Sequence, residues 1–499
     1  MAAIITEKFR LHNASQFVES FSEASANVYY LFLGKSSPFS SATSGGSDSS
    51  PPTPADAVGQ TEYYSWDSML GAKKISSSDI TRAVVRRNFA NGSTFDMYEH
   101  NISSDNTTTS GASNLYDSTF YFLTSDNRVY KVLDNNGGTA YSGSEPTSES
   151  TSPFSLGGYV LKYMYTISSS DAAKFLTTDF MPVSTDTTVS AAAIDGGIES
   201  LIITAGSGYT DGTYYAAVFG DGTSQGTSSG AIVRITVSGG AIQSFGLTAG
   251  SDTTIHDGGA AYTYGTVNLG SSYTFSDAAL SSSSSMGSGT GGAVGVIISP
   301  KNGHGHSAIN ELGGHYVMTA TTLTQDEGDD VSTANDFREV GLVIDPTTYG
   351  TSTVASASTA RMTFAVKFSS ASGTFDADEK ISNSSGAIGK VVEWDSTNSI
   401  LYYHQERFGD YGTNSTTGAY TAFSGTGTIT GGTSGATGSP SSSSTETVTL
   451  ANNNTIAFTS GYANPELQPD SGDIIYIENR KPIQRASDQT EDIKLIIEF

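Results

Sequence analysis

The 499-residue chain carries a formal net charge of −26 and a pI near 4.4. That balance repels phosphate backbones and anionic membrane surfaces at long range, so neither nucleic acid nor membrane is expected as a partner. There is no cysteine, which excludes disulfides, thiolate nucleophiles and Cys-ligated metal.

With 36% hydrophobic residues, 55 Gly, 26 Tyr and 23 Phe, the chain suits pleated surfaces and turns more than long helices. A mainly β fold is expected: several antiparallel sandwich or barrel domains, few short helices, and glycine-rich β-repeat insertions. The length suits about three domains. The opening MAAIITEKFR has no long apolar core behind a basic start, and no run approaches the roughly 18 apolar residues of a membrane span. Neither a signal peptide nor a span is expected, and assembly in the cytoplasm fits.

In chain order, Asn13 to Ser25 reads as a short helix capped by Asn13, with Phe17, Val18 and Phe21 at helical spacing. Val28 to Leu33 is a buried-type strand ended by Gly34 and Pro38. Residues 40–58, rich in Ser, Gly and Pro, read as an exposed loop. Basic clusters stand at Lys73 and Lys74, at Arg82, Arg86 and Arg87, and at Arg480, Lys481 and Arg485. They either pair with the chain's own excess acid or form a docking patch for an acidic neighbour.

Phe120 to Leu133 reads as a hairpin around Ser125 to Asn127, and Asn135 to Gly138 as a turn. Tyr159, Leu161, Tyr163 and Tyr165 then form an aromatic stripe along one strand face. Such a stripe can stack bases or sugars, but core or interface is its ordinary meaning.

Two internal repeats follow. GGIESLIITAGS from Gly196 matches GGAIQSFGLTAGS from Gly239, each read as a glycine turn plus a strand, and Ser281 to Gly292 reads as a linker closing that module. Asp211-Gly212-Thr213 and Asp221-Gly222-Thr223 are read as ordinary turns. Farther on, Phe375, Ile381 and Ser385 to Ala387 recur as Phe423, Ile429 and Ser434 to Ala436, and Gly431 to Ser444 reads as another linker.

Between the repeats, His304, His306, Glu311 and His315 offer a zinc or iron ligand set. The surrounding Gly303, Gly305, Gly313 and Gly314 argue for structural turns, and no metal or cofactor is assigned. Asp326, Glu327, Asp329 and Asp330 make an acidic run.

At the end of the chain, Ile474 and Tyr476 fall on one face of a strand and Ile475 and Ile477 on the other, a pattern for a strand covered on both sides. Ile493, Leu495, Ile497 and Phe499 alternate strictly to the last residue, so that strand should be docked in a core that also holds N-terminal residues, with the Val28 to Leu33 strand as the proposed neighbour.

Several of these blocks, in order, resemble the baseplate wedge subunit encoded by gene eight of T-even-like contractile-tailed bacteriophages. They are Lys8 to Arg10 with Gly34, Lys35, Ser36 and Pro38; Trp66, Met69, Gly71 and Lys74; Ala83 to Phe89; Val129 to Leu133, Glu145 to Thr147 and Gly158 to Tyr165; and Asp473, Glu478 to Arg480, Pro482 and Asp488 to Glu491. The likeness runs through residues 4–180 and 472–499, more weakly near 294–346, with extra β-rich insertions as in cyanophage-type relatives.

The resemblance implies a non-enzymatic structural protein of the virion tail baseplate in a myovirus. It implies a homodimer that contacts other wedge proteins and is assembled in the host cytoplasm. The rival is a carbohydrate-binding or carbohydrate-active tail protein using Tyr and Trp faces with paired carboxylates. The domains expected are 1–194 as the N-terminal β region, 195–292 as an inserted module, 293–364 as a second family-like region, 365–450 as a second inserted module, and 451–499 as strands closing the core. Arg86, Arg87, Tyr159, Tyr163, Glu478, Asn479, Arg480, Asp488 and Phe499 are the candidate structural or interface residues.

Overall fold

The computed structural model describes residues 4–23, 26–39, 45–54, 60–224, 230–272, 274–275, 279–324, 336–407, 419–451, 453–482 and 490–499. It is mainly β, with several antiparallel sheets and few short helices, as the composition led us to expect. Two compact units are present. One comprises Met1–Gln16, Thr81–Met318 and Leu495–Phe499; the other comprises Phe17–Ile80 and Thr319–Lys494.

In the first unit, Tyr121–Leu123, Arg128–Asp134, Tyr159–Thr166 and Phe154–Leu156 form a four-stranded sheet in that order. The expected hairpin closes with Thr124 N donating to Arg128 O at 2.9 Å, and Asn127 takes φ 62°. Tyr159, Leu161 and Tyr163 are core, packed with Phe122, Tyr130 and Val132. Strict alternation fails at Tyr165. A β-bulge sets Val129 opposite Tyr165 but Tyr130 opposite Tyr163, so Met164 and Tyr165 both turn into a different core with Val84 and Phe120.

The Ile198–Ser207 strand pairs with Thr290–Ile298. Its Ile198 and Leu201 share a core with Val233, Ile235 and Ile242, and also with Leu133 and Val160. Two expectations are corrected here. The second repeat copy is not a continuous strand: Ala241–Ile242 is a two-residue strand, after which the chain curls around Asp252, whose carboxylate accepts from Thr248 N at 3.0 Å. The segment Ser281 to Gly292 is not a free linker, because Ser283 and Met286 are buried and Ser282 donates to Ser271 O at 2.8 Å.

The second unit contains a five-stranded sheet in the order Thr359–Arg361, Met69–Ile75, Tyr29–Gly34, Glu339–Ile344, Asp473–Asn479. Tyr30, Phe32, Val343 and Trp66 pack at its core. Trp66 comes from a helix, Gln60–Ser68, that periodicity did not reveal. The Asp473–Asn479 strand is an edge and not a doubly covered strand. A bulge pairs Leu342 with Tyr476 and Val343 with Ile474, which extrudes Ile475 to 44% exposure and turns Ile474 and Ile477 toward one core. Bulges of this kind blunt an open edge.

The remaining large sheet closes on itself. Ile400–His404, Ile388–Asp395, Lys380–Ser382, Ile429–Gly431, Thr437–Pro440 and Phe364–Ser372 are successive neighbours, and the last also pairs with the first. The result is a small antiparallel barrel. Gly431 and Thr437–Pro440 are therefore strand residues of its wall, and Gly431 to Ser444 is not a free linker. Glycine is needed at 438 because the Phe368 ring lies 2.5 Å from where a Cβ would stand.

Three further differences concern the expected N-terminal helix, loop and last strand. The helix is Glu7–Glu19, starting earlier than expected, with Arg10 N bonded to Thr6 O at 3.1 Å and Asn13 mid-helix. Glu7 in its first turn suits the helix dipole. Residues 45–54 are anchored, since Asp48 accepts from Arg338 Nε and Nη2, both at 2.9 Å; residues 40–44 and 55–59 lie outside the described set.

The last strand, Thr490–Glu498, buries Ile493 and Leu495 as expected, with Ile497 and Phe499 half-buried. Its sheet order is Thr490–Glu498, Tyr316–Thr324, Ile80–Val85, Phe180–Pro182. It is the penultimate strand, Asp473–Asn479, that shares a sheet with Tyr29–Gly34.

Candidate assembly sites

Both chain ends converge on His315 in the first unit. Arg10 Nη1 stands 2.8 Å from Glu498 Oε1 and 3.4 Å from His315 Nε2, while Glu7 Oε2 faces His315 Nδ1 at 3.3 Å. Phe499 N donates to His315 O at 3.3 Å. A guanidinium only donates, so Nε2 is an acceptor and the ring proton belongs on Nδ1, toward Glu7. Burial, the largest influence, lowers the His315 pKa and favours this neutral form. A pocket of about 210 Å3 opens here, lined by Glu7, Arg10, Arg87, Tyr116, His315 and Glu498 among others.

The arginines that the sequence left either to the chain's own acid or to a docking patch make hydrogen bonds to carbonyls. Arg82 Nε donates to Gly314 O at 2.6 Å, Arg86 to Thr177 O at 2.6 Å and Arg87 to Tyr116 O at 2.9 Å. Arg87 also lies 5.5 Å over the Tyr121 ring. Carbonyls satisfy guanidinium donors without a second ion, which suits loops pinned beside a sheet. Tyr159 donates to Thr139 O at 2.7 Å and Tyr163 meets Thr166 Oγ1 at 2.8 Å, both rings being buried.

Sequence reading missed a cluster of buried charge. Lys131 and Lys162 face each other across neighbouring strands and are almost wholly buried. Lys131 Nζ is 2.9 Å from Glu311 Oε2 and 3.9 Å from the Tyr98 ring centroid; Lys162 Nζ is 3.4 Å from Glu199 Oε2. Glu311 Oε1 also accepts from Gly305 N at 2.8 Å and Ser307 N at 3.2 Å. Glu311 thus fixes the glycine turn to the sheet. A lysine centred in an apolar run, VYKVL or VLKYMY, was the signal available in the sequence.

His304 is buried edge-on to Tyr98 at 4.9 Å, and burial together with Lys131 and Lys162 holds its pKa well below the usual value. His306 is exposed and His315 belongs to the terminal junction, so the four suggested ligands are not brought together. Among the described residues, no group of three His, Asp or Glu side chains is placed to hold a metal.

In the second unit Ser36 Oγ lies 3.2 Å from His404 Nε2, and His404 Nδ1 lies 3.4 Å from Glu406 Oε1. The chain of groups has a nucleophile, a base and a carboxylate. Burial, then Lys390 and Lys35, push the His404 pKa down to about 3. Ser36, however, is 0% exposed, so no substrate reaches it in this conformation and the trio serves packing.

At the end of the edge strand, Tyr476 donates to Glu478 Oε2 at 3.2 Å, Asn479 Nδ2 to Pro52 O at 3.0 Å and Arg480 N to Arg338 O at 2.8 Å. Asp488, Arg485 and the acidic run Asp326, Glu327, Asp329 and Asp330 lie outside the described residues.

The described residues thus form a β-rich protein with buried ion pairs, pinned loops and fastened termini. The family model described as bacteriophage T4 Gp8 matches residues 3–144 and 444–499, segments of 142 and 56 residues, 198 of the 499. These two segments are similar to the phage Gp8 family, a family of structural baseplate proteins. Residues 145–443 lie outside the match, including the Gly158 to Tyr165 strand and the histidine turn. No curated protein matches the chain. No described helix is long and apolar enough to cross a membrane.

Proposed function

We propose that the protein is a wedge component of a contractile-tail baseplate, acting as a homodimer that joins other wedge proteins and catalyses nothing itself. The observation that carries this reading is that the family match falls on both chain ends, and that those ends are fastened to each other by Arg10 and Glu498 at 2.8 Å. In this reading residues 195–292 and 365–450 are additions to the shared frame, and assembly takes place in the host cytoplasm.

The two tryptophans that the carbohydrate alternative would use are packed inward. Trp66 is 3% exposed, and Trp394 packs on Phe368 and Phe375 at 5.7 and 5.4 Å.

The test is incorporation. Purified full-length protein should enter baseplates assembled from particles that lack it. A chain without residues 493–499, which loses the buried Ile493 and Leu495 at about 1.5 to 3 kcal/mol each, should be insoluble or excluded. Failure of the full-length protein to incorporate would sink the wedge assignment.

A further inference from the structure

The Thr359–Arg361 strand is an outer strand of the five-stranded sheet in the second unit. In an antiparallel pair, residues alternate between bonding the neighbouring strand and turning their N–H and C=O away from it. Ser358 O accepts from Lys74 N at 2.8 Å and Met362 N donates to Leu70 O at 3.1 Å, so Ala360 also faces the sheet, while Thr359 and Arg361 present their backbone groups outward. Arg361 is covered: its N–H donates to Glu466 Oε2 and its C=O accepts from Glu466 N, both at 2.9 Å. The backbone N–H and C=O of Thr359 have no partner among the described residues.

The other end of this sheet is blunted by its bulge, whereas this end opens into a pocket of about 560 Å3. A second free edge lines the same pocket. In the hairpin of Glu446–Thr449 with Thr455–Phe458, Leu450 N donates to Asn454 O at 2.8 Å and Val448 stands opposite Ile456, which turns the Thr455 backbone away from its partner strand. Leu450, Ile456 and Leu467 give the pocket a buried apolar floor, and Tyr349 lines it while 38% exposed.

Unpaired strand backbone beside an apolar floor is the arrangement that receives an extended peptide. The added strand supplies the missing hydrogen bonds, and its alternate side chains reach the floor. Charge selects among peptides, because a chain carrying −26 draws in basic segments and repels acidic ones.

We propose that this pocket takes an extended, basic peptide segment of a neighbouring protein, which adds a strand at Thr359 and seats an aliphatic side chain on Leu450, Ile456 and Leu467. The site depends neither on the wedge assignment nor on a dimer.

The test uses the full-length protein and a fluorescein-labelled, end-capped peptide of alternating threonine and valine with a lysine at each end. Its anisotropy should rise saturably. The same peptide with N-methylated backbone should bind about fivefold more weakly or worse. Thr359→Pro removes a single outward N–H, which an edge strand tolerates, and should weaken binding to a similar degree, whereas Thr359→Val keeps the donor and should bind as wild type. Hydrogen exchange at Thr359 should be fast in the free protein and slowed by the peptide.

Absence of binding to the wild type, or binding that N-methylation and Thr359→Pro leave unchanged, overturns the site. Slow exchange at Thr359 in the free protein would mean that the edge is already covered, by the chain itself or by a second copy, and overturns it as well. Equal binding of a peptide with glutamate at each end would overturn the basic partner.

Discussion

Two pairs of sequence repeats, each offset by one inserted residue, fold in different ways. In the barrel, Ile381 and Ile429 are both fully buried and Phe375, Phe423, Ala387 and Ala436 share one core. The turn glycines Gly386 and Gly435 both take positive φ, 85° and 69°. The strands pair with each other, Ser382 opposite Thr430 and Ile381 opposite Gly431, so a local two-fold passes through the Ser382 and Thr430 pair. In the first unit, Ile198 and Leu201 of one copy and Ile242 and Phe245 of the other enter one core, but the copies part after that. Ile202 and Ile203 continue a strand, whereas Asp252 stands 2.3 Å from where a Cβ at Gly246 would be.

The difference teaches that a repeat in sequence becomes a repeat in space when the copies are each other's hydrogen-bonding partners. The barrel copies pair directly. The other copies share only two anchor positions, and their neighbours decide the rest.

The largest test of this contrast is Glu199→Gln, which gives the first copy the residue that the second carries at Gln243. Glu199 partners the buried Lys162, so the change should cost about 3 to 5 kcal/mol, because it strands a buried cation; urea melts would show it, and a near-neutral result would deny the buried cluster its role. Burial raises the Glu199 pKa above its ordinary 4.5. Its contribution to stability through this shift is therefore full below about that pH and is lost as pH rises through the folded value. Glu199→Gln should remove that slope from the pH profile of stability.

Next in size, Ile381→Ala and Ile429→Ala should each cost about 2 to 5 kcal/mol, and similar amounts, since both are 0% exposed at two-fold-related positions. Markedly unequal losses in denaturant midpoints would mean that the local symmetry is not energetic.

Glu379 breaks the symmetry, accepting from Thr433 N and Ser434 N at 2.9 Å and Ser434 Oγ at 2.6 Å. Glu379→Gln should cost about 1.5 to 3 kcal/mol by weakening charge-assisted bonds. Hydrogen exchange should rise first at residues 433–435, and exchange spread evenly over both turns would count against it. The smallest effect is Gly435→Ala, about 1 kcal/mol for a side chain at positive φ, matched by Gly386→Ala in thermal melts.

Much of the frame was legible because it depends on local pattern. The hairpin at Ser125 to Asn127, the Val28 to Leu33 strand and the glycine turn at 303–315 follow from alternation and from turn residues that adopt positive φ. The assembly sites were less legible. Arg86 and Arg87 were visible as charges, but sequence could not show that they would bind carbonyls. His315, Glu7 and Glu498 are far apart in sequence and meet only through the fold. The helix at Gln60–Ser68 carries aromatic residues without a clean helical stripe, so its existence depended on the site Trp66 fills.

By itself the sequence determined the β-rich class, the cysteine-free chemistry, the acidic surface, the family likeness at both ends and the docking of Ile493 and Leu495. These are set by composition and by periods of two residues, which are properties of neighbours in the chain. Tertiary structure alone decided which strands lie side by side, where bulges at Met164 and Ile475 reverse a face, and which carboxylate meets Lys131. Register, bulge and buried ion pair each depend on what stands opposite, and a partner tens to hundreds of residues away leaves no periodic trace in the sequence.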